Sequence, residues 1–151
     1  MTAKTTPDGL QQLGAMLSGE LRAPIGETLG FHLIEIERGR AVFEAAPDPS
    51  VYNPFGAVHG GYAATLLDSA CGIAVHSQLE ANRGHTTLEL KVSYLRGLDS
   101  RSGTVRATGR TLSVGRRVAF AEATLHDGEG RLCATATSTL LVFDLEPAAG
   151  A

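Results

Sequence analysis

Leu10, Leu13, Met16, Leu17 and Leu21 recur at intervals of three and four, the period of a helix with one apolar face. The spacing predicts a short amphipathic helix over 9–22, opened by Asp8-Gly9 and stopped by Pro24 and Gly26. The period then falls to two. FHLIEIERG and RAVFEAAP read as two strands with Arg38-Gly39 as the turn between them, the second ended by Pro47-Asp48-Pro49. A loop over Tyr52–Gly56 precedes the only long helical stretch, predicted over 60–79. There Ala63, Ala64, Leu67, Ala70, Cys71 and Ala74 share one broad face, with Thr65, Ser69 and His76 opposite. So many small residues on the apolar face imply that something packs closely on it, as a sheet wrapped around the helix would. After the helix everything alternates. HTTLELKVSYLRG, SGTVRATGRTLSV, GRRVAFAEATLHD and RLCATATSTLLVF are separated by turn signals at Asp99-Ser100, Val114-Gly115 and Asp127–Gly130. Four long strands joined by short turns predict an antiparallel meander. One central helix with about six strands makes an α+β fold, because helices do not alternate with strands as a doubly wound sheet requires.

Composition narrows the function classes. The 151 residues suit one domain, expected over 9–145, with residues 1–8 and 146–151 as flexible ends. A net charge of −3 argues against a nucleic-acid binder. No apolar run is long enough to cross a membrane, and the N-terminus has no secretory h-region. Cys71 and Cys133 are not a CxxC pair and sit among apolar residues, so they read as small buried hydrophobes in a reducing, cytoplasmic protein.

The chemistry concentrates between Asn53 and Asp68. Gly60-Gly61 at a loop-to-helix junction either permits a tight turn or lets a ligand approach the unsatisfied N–H groups of the first helical turn. Those N–H groups, at the positive end of the helix dipole, would polarise a carbonyl and stabilise an oxyanion. Asp68 lies at the edge of the apolar face with no basic residue three or four positions away. It is either a solvated rim residue or a nucleophile or general base. His59 either acts on substrate or shapes the helix start. The other histidines lack metal-ligand spacing, so no metal and no cofactor is expected. GxSxG and GxxxxGK[ST] are absent. Arg116 and Arg117 at a strand start form either a solvated turn or a phosphate contact.

The pattern N-x-x-G-x-x-H-G-G-x₆-D, running from Asn53 to Asp68, resembles the hotdog-fold thioesterase superfamily. More closely it resembles the phenylacetate-degradation-type and 4-hydroxybenzoyl-CoA-type acyl-CoA thioesterases, over about Gly30 to Phe143. The resemblance implies a sheet of roughly six antiparallel strands around one long helix. It implies hydrolysis of an aryl-, arylacetyl- or medium-chain acyl-CoA, with coenzyme A as part of the substrate. Asp68 matches the catalytic carboxylate, Gly60 the residue whose N–H polarises the thioester, Asn53 a loop position near the thioester, and His59 a residue supporting the loop. Gly72 stands where some members carry a water-holding Thr or Ser. Gly61, Gly72, Thr86 and Thr87 join the substrate-binding set, with Arg96, Arg116 and Arg117 as candidates for the CoA phosphates. The family assembles as homodimers with active sites at the subunit interface, often paired into tetramers. A hotdog-fold enoyl-CoA hydratase or dehydratase, or a non-catalytic acyl-CoA binding module, would use the same fold.

Overall fold

The computed structural model describes residues 6–146, so the parts of the expected flexible ends at 1–5 and 147–151 lie outside the described residues. Asp8 opens helix α1 (Gly9–Leu17) through a reciprocal capping box with Gln11, which satisfies orphan N–H groups of the first turn. The helix ends at Leu17, not at 22. Pro24 does not stop it but starts a second short helix, α2 (Pro24–Leu29). Proline suits a first helical position, where its missing N–H has no intrahelical partner to lose. Gly30 then closes α2 in the left-handed conformation, φ 69°.

Strands β1 (Phe31–Glu37) and β2 (Arg40–Ala45) form the expected hairpin across Arg38-Gly39. The long helix α3 (Gly60–His76) begins where the sequence places it and ends three residues early. Four strands follow: β3 (Arg83–Tyr94), β4 (Val105–Val114), β5 (Val118–His126) and β6 (Leu132–Asp144). All six form one antiparallel sheet in the order β1-β2-β4-β5-β6-β3. Only β4, β5 and β6 are a meander. The Asp99 turn is present, with Ser102 N–H donating to the Asp99 carbonyl at 3.0 Å, but it lies inside a crossover over 95–104. That segment is long enough to carry the chain from β3 at one edge back to β4 in the middle.

Helix α3 lies in the concave face of the sheet. Leu66, Leu67, Ala70, Cys71, Ala74 and Val75 are fully buried there. Gly109 of β4 explains the small residues: a Cβ at that position would stand 2.1 Å from the Ala70 carbonyl oxygen, so strand and helix touch backbone to backbone. Burial pushes the Cys71 thiol up to about 12, with the Asp68 and Glu122 charges adding to it. It is therefore a packing residue and no nucleophile.

Strand β3 is an edge strand with a bulge at Leu88, between Thr87 and Glu89. Strict alternation would put Thr87 on the opposite side from Leu90, Val92 and Tyr94. The extra residue resets the phase, so Thr87 faces α3 and so do the apolar positions beyond it.

Candidate active site

The loop before α3 is tied by its own backbone and by one side chain. Asn53 N–H donates to the Ala57 carbonyl at 2.7 Å, and Asn53 Oδ1 accepts from Phe55 N–H at 2.9 Å and Ala57 N–H at 3.2 Å. The Asn53 oxygen is thus spent inside the loop, and only its amide NH₂ is left to meet a ligand. His59 N–H donates to the Val51 carbonyl and Val58 N–H to the Leu98 carbonyl, both at 2.9 Å. These bonds fix where α3 begins.

His59 is the N-cap of α3, its Nδ1 accepting from Gly61 N–H at 2.9 Å. An acceptor at Nδ1 leaves Nε2–H as the ring's donor. The cap takes the Gly61 N–H, whereas the Gly60 N–H has no hydrogen-bond partner among the described residues. Gly60 is held from the other side, since Tyr94 Oη donates to its carbonyl at 2.6 Å. A Cβ on Gly60 would lie 3.2 Å from that hydroxyl, a tight contact that Tyr94 would have to yield to by a few tenths of an ångström. Sequence reasoning did not select Tyr94. Its only signal is that it ends β3 in phase with Leu90 and Val92.

Asp68 is half-buried, and its Oδ1 accepts from Thr87 Oγ1 at 2.9 Å. Among the described residues no cation pairs with it. A carboxylate held by one hydroxyl and neutralised by nothing keeps an oxygen free to take a proton or attack. Gly72, one turn further along, leaves room that the His85 ring takes up: a Cβ there would stand 3.0 Å from His85 Cε1. Burial pushes His85 down to about 4, with neighbouring His76 adding to the effect, and its Nδ1 is buried without a partner. Thr86 is exposed on β3. Gly60 and Asp68 are separated by a little over two turns of α3, about 12 Å along its axis.

The expected phosphate-binding arginines divide. Arg116 and Arg117 converge with Arg83 around a cavity of about 650 Å³ that Asp144 also borders. Arg83 pairs with Asp144 at 3.2 Å and donates to the Arg116 carbonyl. Arg96 is just beyond the other end of β3, its N–H donating to the Cys133 carbonyl at 3.0 Å. Arg83 was not selected from sequence, because only the β3–β6 pairing brings it beside the β4–β5 turn. A second cavity, of about 330 Å³, opens beside the start of α3. Leu29, Val51, Tyr52 and Tyr62 line it together with Ser50, His59, Gly61 and Thr65.

Residues 55–134 match the thioesterase superfamily. The chain belongs to that superfamily. A 1,4-dihydroxy-2-naphthoyl-CoA hydrolase of Listeria monocytogenes is 27% identical over 116 residues, 77% of this chain and 93% of its own. A thioesterase of Haemophilus influenzae superposes with a TM-score of 0.78 over 99% of this chain and 100% of that one, at 24% identity, a likeness of fold. A Streptococcus pneumoniae thioesterase protein solved with coenzyme A reaches a TM-score of 0.70 at 25% identity, covering 78% of this chain and 91% of that one. The six strands and central helix are therefore the hotdog fold of a thioester hydrolase. Among the described residues no three His, Cys, Asp or Glu groups are placed to hold a metal ion, and no helix is long and apolar enough to cross a membrane.

Proposed function

We propose that this thioesterase hydrolyses aryl- or arylacetyl-CoA esters at sites shared between two copies of the chain. The observation that carries the reading is the separation on α3 of the free Gly60 N–H from the unpaired Asp68 carboxylate. A carbonyl oxygen bound by Gly60 N–H places its carbon far from Asp68 of the same chain, whereas a carboxylate must come within about 3–3.5 Å of the reacting atoms. Asp68 of a second copy supplies it. Two exposed features suit that pairing: the outer edge of β3, where Leu88 is 58% exposed, and Phe55 of the Asn53–Gly61 loop, 94% exposed. An unprotected edge strand is a template for a second chain.

Gly60 N–H then polarises the thioester carbonyl at the positive end of α3. Asp68, oriented by Thr87, either takes a proton from water as that water attacks the carbonyl carbon, or attacks it directly and yields an anhydride that water opens. In both routes the C–S bond breaks and the CoA thiolate leaves. Arg83, Arg116 and Arg117 suit the phosphates of the nucleotide end, since guanidinium forks match phosphate oxygens. Arg83 lies about 13 Å along β3 from Thr87, a distance a pantetheine arm spans. The aryl class rests on the Listeria relative, named for a dihydroxynaphthoyl ester, and on a cavity with room for a ring.

The test is release of free CoA, followed with a thiol reagent, over benzoyl-, phenylacetyl- and straight-chain acyl-CoAs, with Asp68→Asn alongside. Turnover concentrated on the aryl esters, with kcat reduced about 10²- to 10⁴-fold in the variant, supports the reading. An unchanged kcat in Asp68→Asn removes Asp68 from the chemistry. Single turnover in ¹⁸O-water that carries label into the Asp68 carboxylate identifies nucleophilic attack, with the anhydride opened at the Asp68 carbonyl; label in the product acid alone fits direct attack by water or an anhydride opened at the acyl carbonyl.

A further inference from the structure

Two glycines in succession open α3, and the peptide units around them are held at every polar group but one. His59 N–H donates to the Val51 carbonyl at 2.9 Å, and the His59 carbonyl accepts from Tyr62 N–H at 3.0 Å and Ala63 N–H at 3.4 Å. The Gly60 N–H shares a peptide with that carbonyl and, the bond being trans, points the opposite way. The next peptide, Gly60–Gly61, is gripped at both of its polar groups. Its N–H donates to His59 Nδ1 at 2.9 Å, and its carbonyl accepts from Tyr94 Oη at 2.6 Å. The other partners are close in sequence, whereas Tyr94 reaches in from the sheet, 34 positions along the chain. Its ring is 56% exposed, so the hydroxyl is not a buried group in need of a partner. What the bond changes is the freedom of Gly60. A glycine lacks the Cβ that confines φ and ψ, and the first turn of a helix has few bonds of its own to hold its N–H groups. An N–H stabilises an oxyanion only when it stands about 2.7–3.1 Å from where that oxygen forms. A donor carried on Gly-Gly must therefore be fixed from outside.

We infer that Tyr94 is the positioning residue of the carbonyl-polarising group: by clamping the Gly60 carbonyl it fixes the direction of the Gly60 N–H, without itself touching the substrate. This rests on the thioester reading above, in which that N–H polarises the carbonyl. Strand β3 then serves both reacting groups, with Thr87 near its middle orienting Asp68 and Tyr94 at its end holding Gly60. The bond is neutral and partly exposed, so its loss is expected to cost about three- to tenfold in rate. Loss of an oxyanion donor outright costs ~10²-fold or more.

The experiment compares the wild type with Tyr94→Phe, which keeps the ring, on the CoA ester that the wild type turns over fastest. At a temperature well below melting, kcat and kcat/KM should fall together by about three- to tenfold, the mark of an interaction made in the transition state. The second readout is infrared spectroscopy of a bound ketone analogue of benzoyl-CoA, with CH₂ in place of sulfur and ¹³C at the carbonyl. Its carbonyl stretch should move to lower frequency on binding to the wild type, and move less in Tyr94→Phe at saturation. A merely structural bond would lower the melting temperature and leave both kcat and the stretch unchanged, and that result overturns the assignment. So does an equal carbonyl shift in the two proteins. If no ester releases CoA, the hydrolytic reading fails separately, and the ketone analogue decides on Tyr94. A shift in the wild type that shrinks in Tyr94→Phe supports it, and an analogue that does not bind, or binds without a shift, overturns it.

Discussion

His85 is neutral at pH values where its free imidazole would titrate, and this gives the fold a predictable acid sensitivity. Its ring fills the space that Gly72 leaves and sits 5.4 Å from the His76 ring, which bonds Gln12 through Nε2 at 2.9 Å. Burial depresses both histidines, His85 to about 4 from an ordinary 6.5. Between those two values the unfolded chain binds a proton that the folded chain does not, so stability rises with pH across that window and is lost as pH falls through it. The loss is expected to approach about 3 kcal/mol for His85, read as a falling urea midpoint between pH 6.5 and pH 4. His85→Phe should remove most of that slope and leave the smaller share due to His76. Asp8, Asp48, Asp99 and Asp127 are all held below the usual carboxylate range, so their contributions are lost only below about pH 5 and the slope between pH 6.5 and pH 5 belongs to the histidines. An unaltered slope in His85→Phe would mean that the ring is not buried against α3 as described.

Among the elements, the closest approach is between β4 and α3. A methyl group at Gly109 would meet the Ala70 carbonyl at 2.1 Å, and backbone cannot yield as a side-chain tip can. Gly109→Ala is therefore expected to cost about 3 kcal/mol or more, at the upper end of overpacking effects. Gly14→Ala, on the exposed side of α1 with nothing within 4 Å of the new methyl, should stabilise by about 0.5–1 kcal/mol. Denaturant midpoints of the two variants check both signs. The same pair shows what was readable from sequence. A run of small residues on α3 announces close packing, and His59-Gly60-Gly61 announces where the helix starts, because both are local. The partner of the close packing, Gly109, is named by nothing local. Nor is the position of β3 beside β6, which turns on a crossover that reads like an ordinary turn at Asp99. The bulge at Leu88 hid the orientation of Thr87, so its bond to Asp68 was invisible although both residues were candidates. Tyr62, Arg83, His85 and Tyr94 owe their places to that same topology. Pro24 misled for a different reason: proline both ends helices and begins them, and only the chain geometry decides which.

For the whole molecule the arrangement of α3 makes a prediction that a site within one chain cannot satisfy. If Gly60 of one copy and Asp68 of the other act on the same thioester, two inactive variants must restore activity when mixed. Asp68→Asn removes the carboxylate. Gly60→Pro removes the N–H at the first helical position, where proline is tolerated. The extended backbone of His59, φ −63° and ψ 134°, suits the residue before a proline. The added ring atoms approach Tyr94, so circular dichroism and melting of the Gly60→Pro protein accompany the assay. In a mixed dimer one site combines the intact Asp68 of the proline variant with the intact Gly60 of the asparagine variant, while the other site lacks both. Random exchange of equal amounts should thus recover roughly a quarter of wild-type turnover, as closed two-fold symmetry dictates. Recovery should appear only after subunits have exchanged, at a rate that depends on dimer dissociation. A mixture that stays inactive, although exchange is demonstrated with differently tagged chains, would place both groups of each site in one chain and require α3 to present them otherwise than it does here.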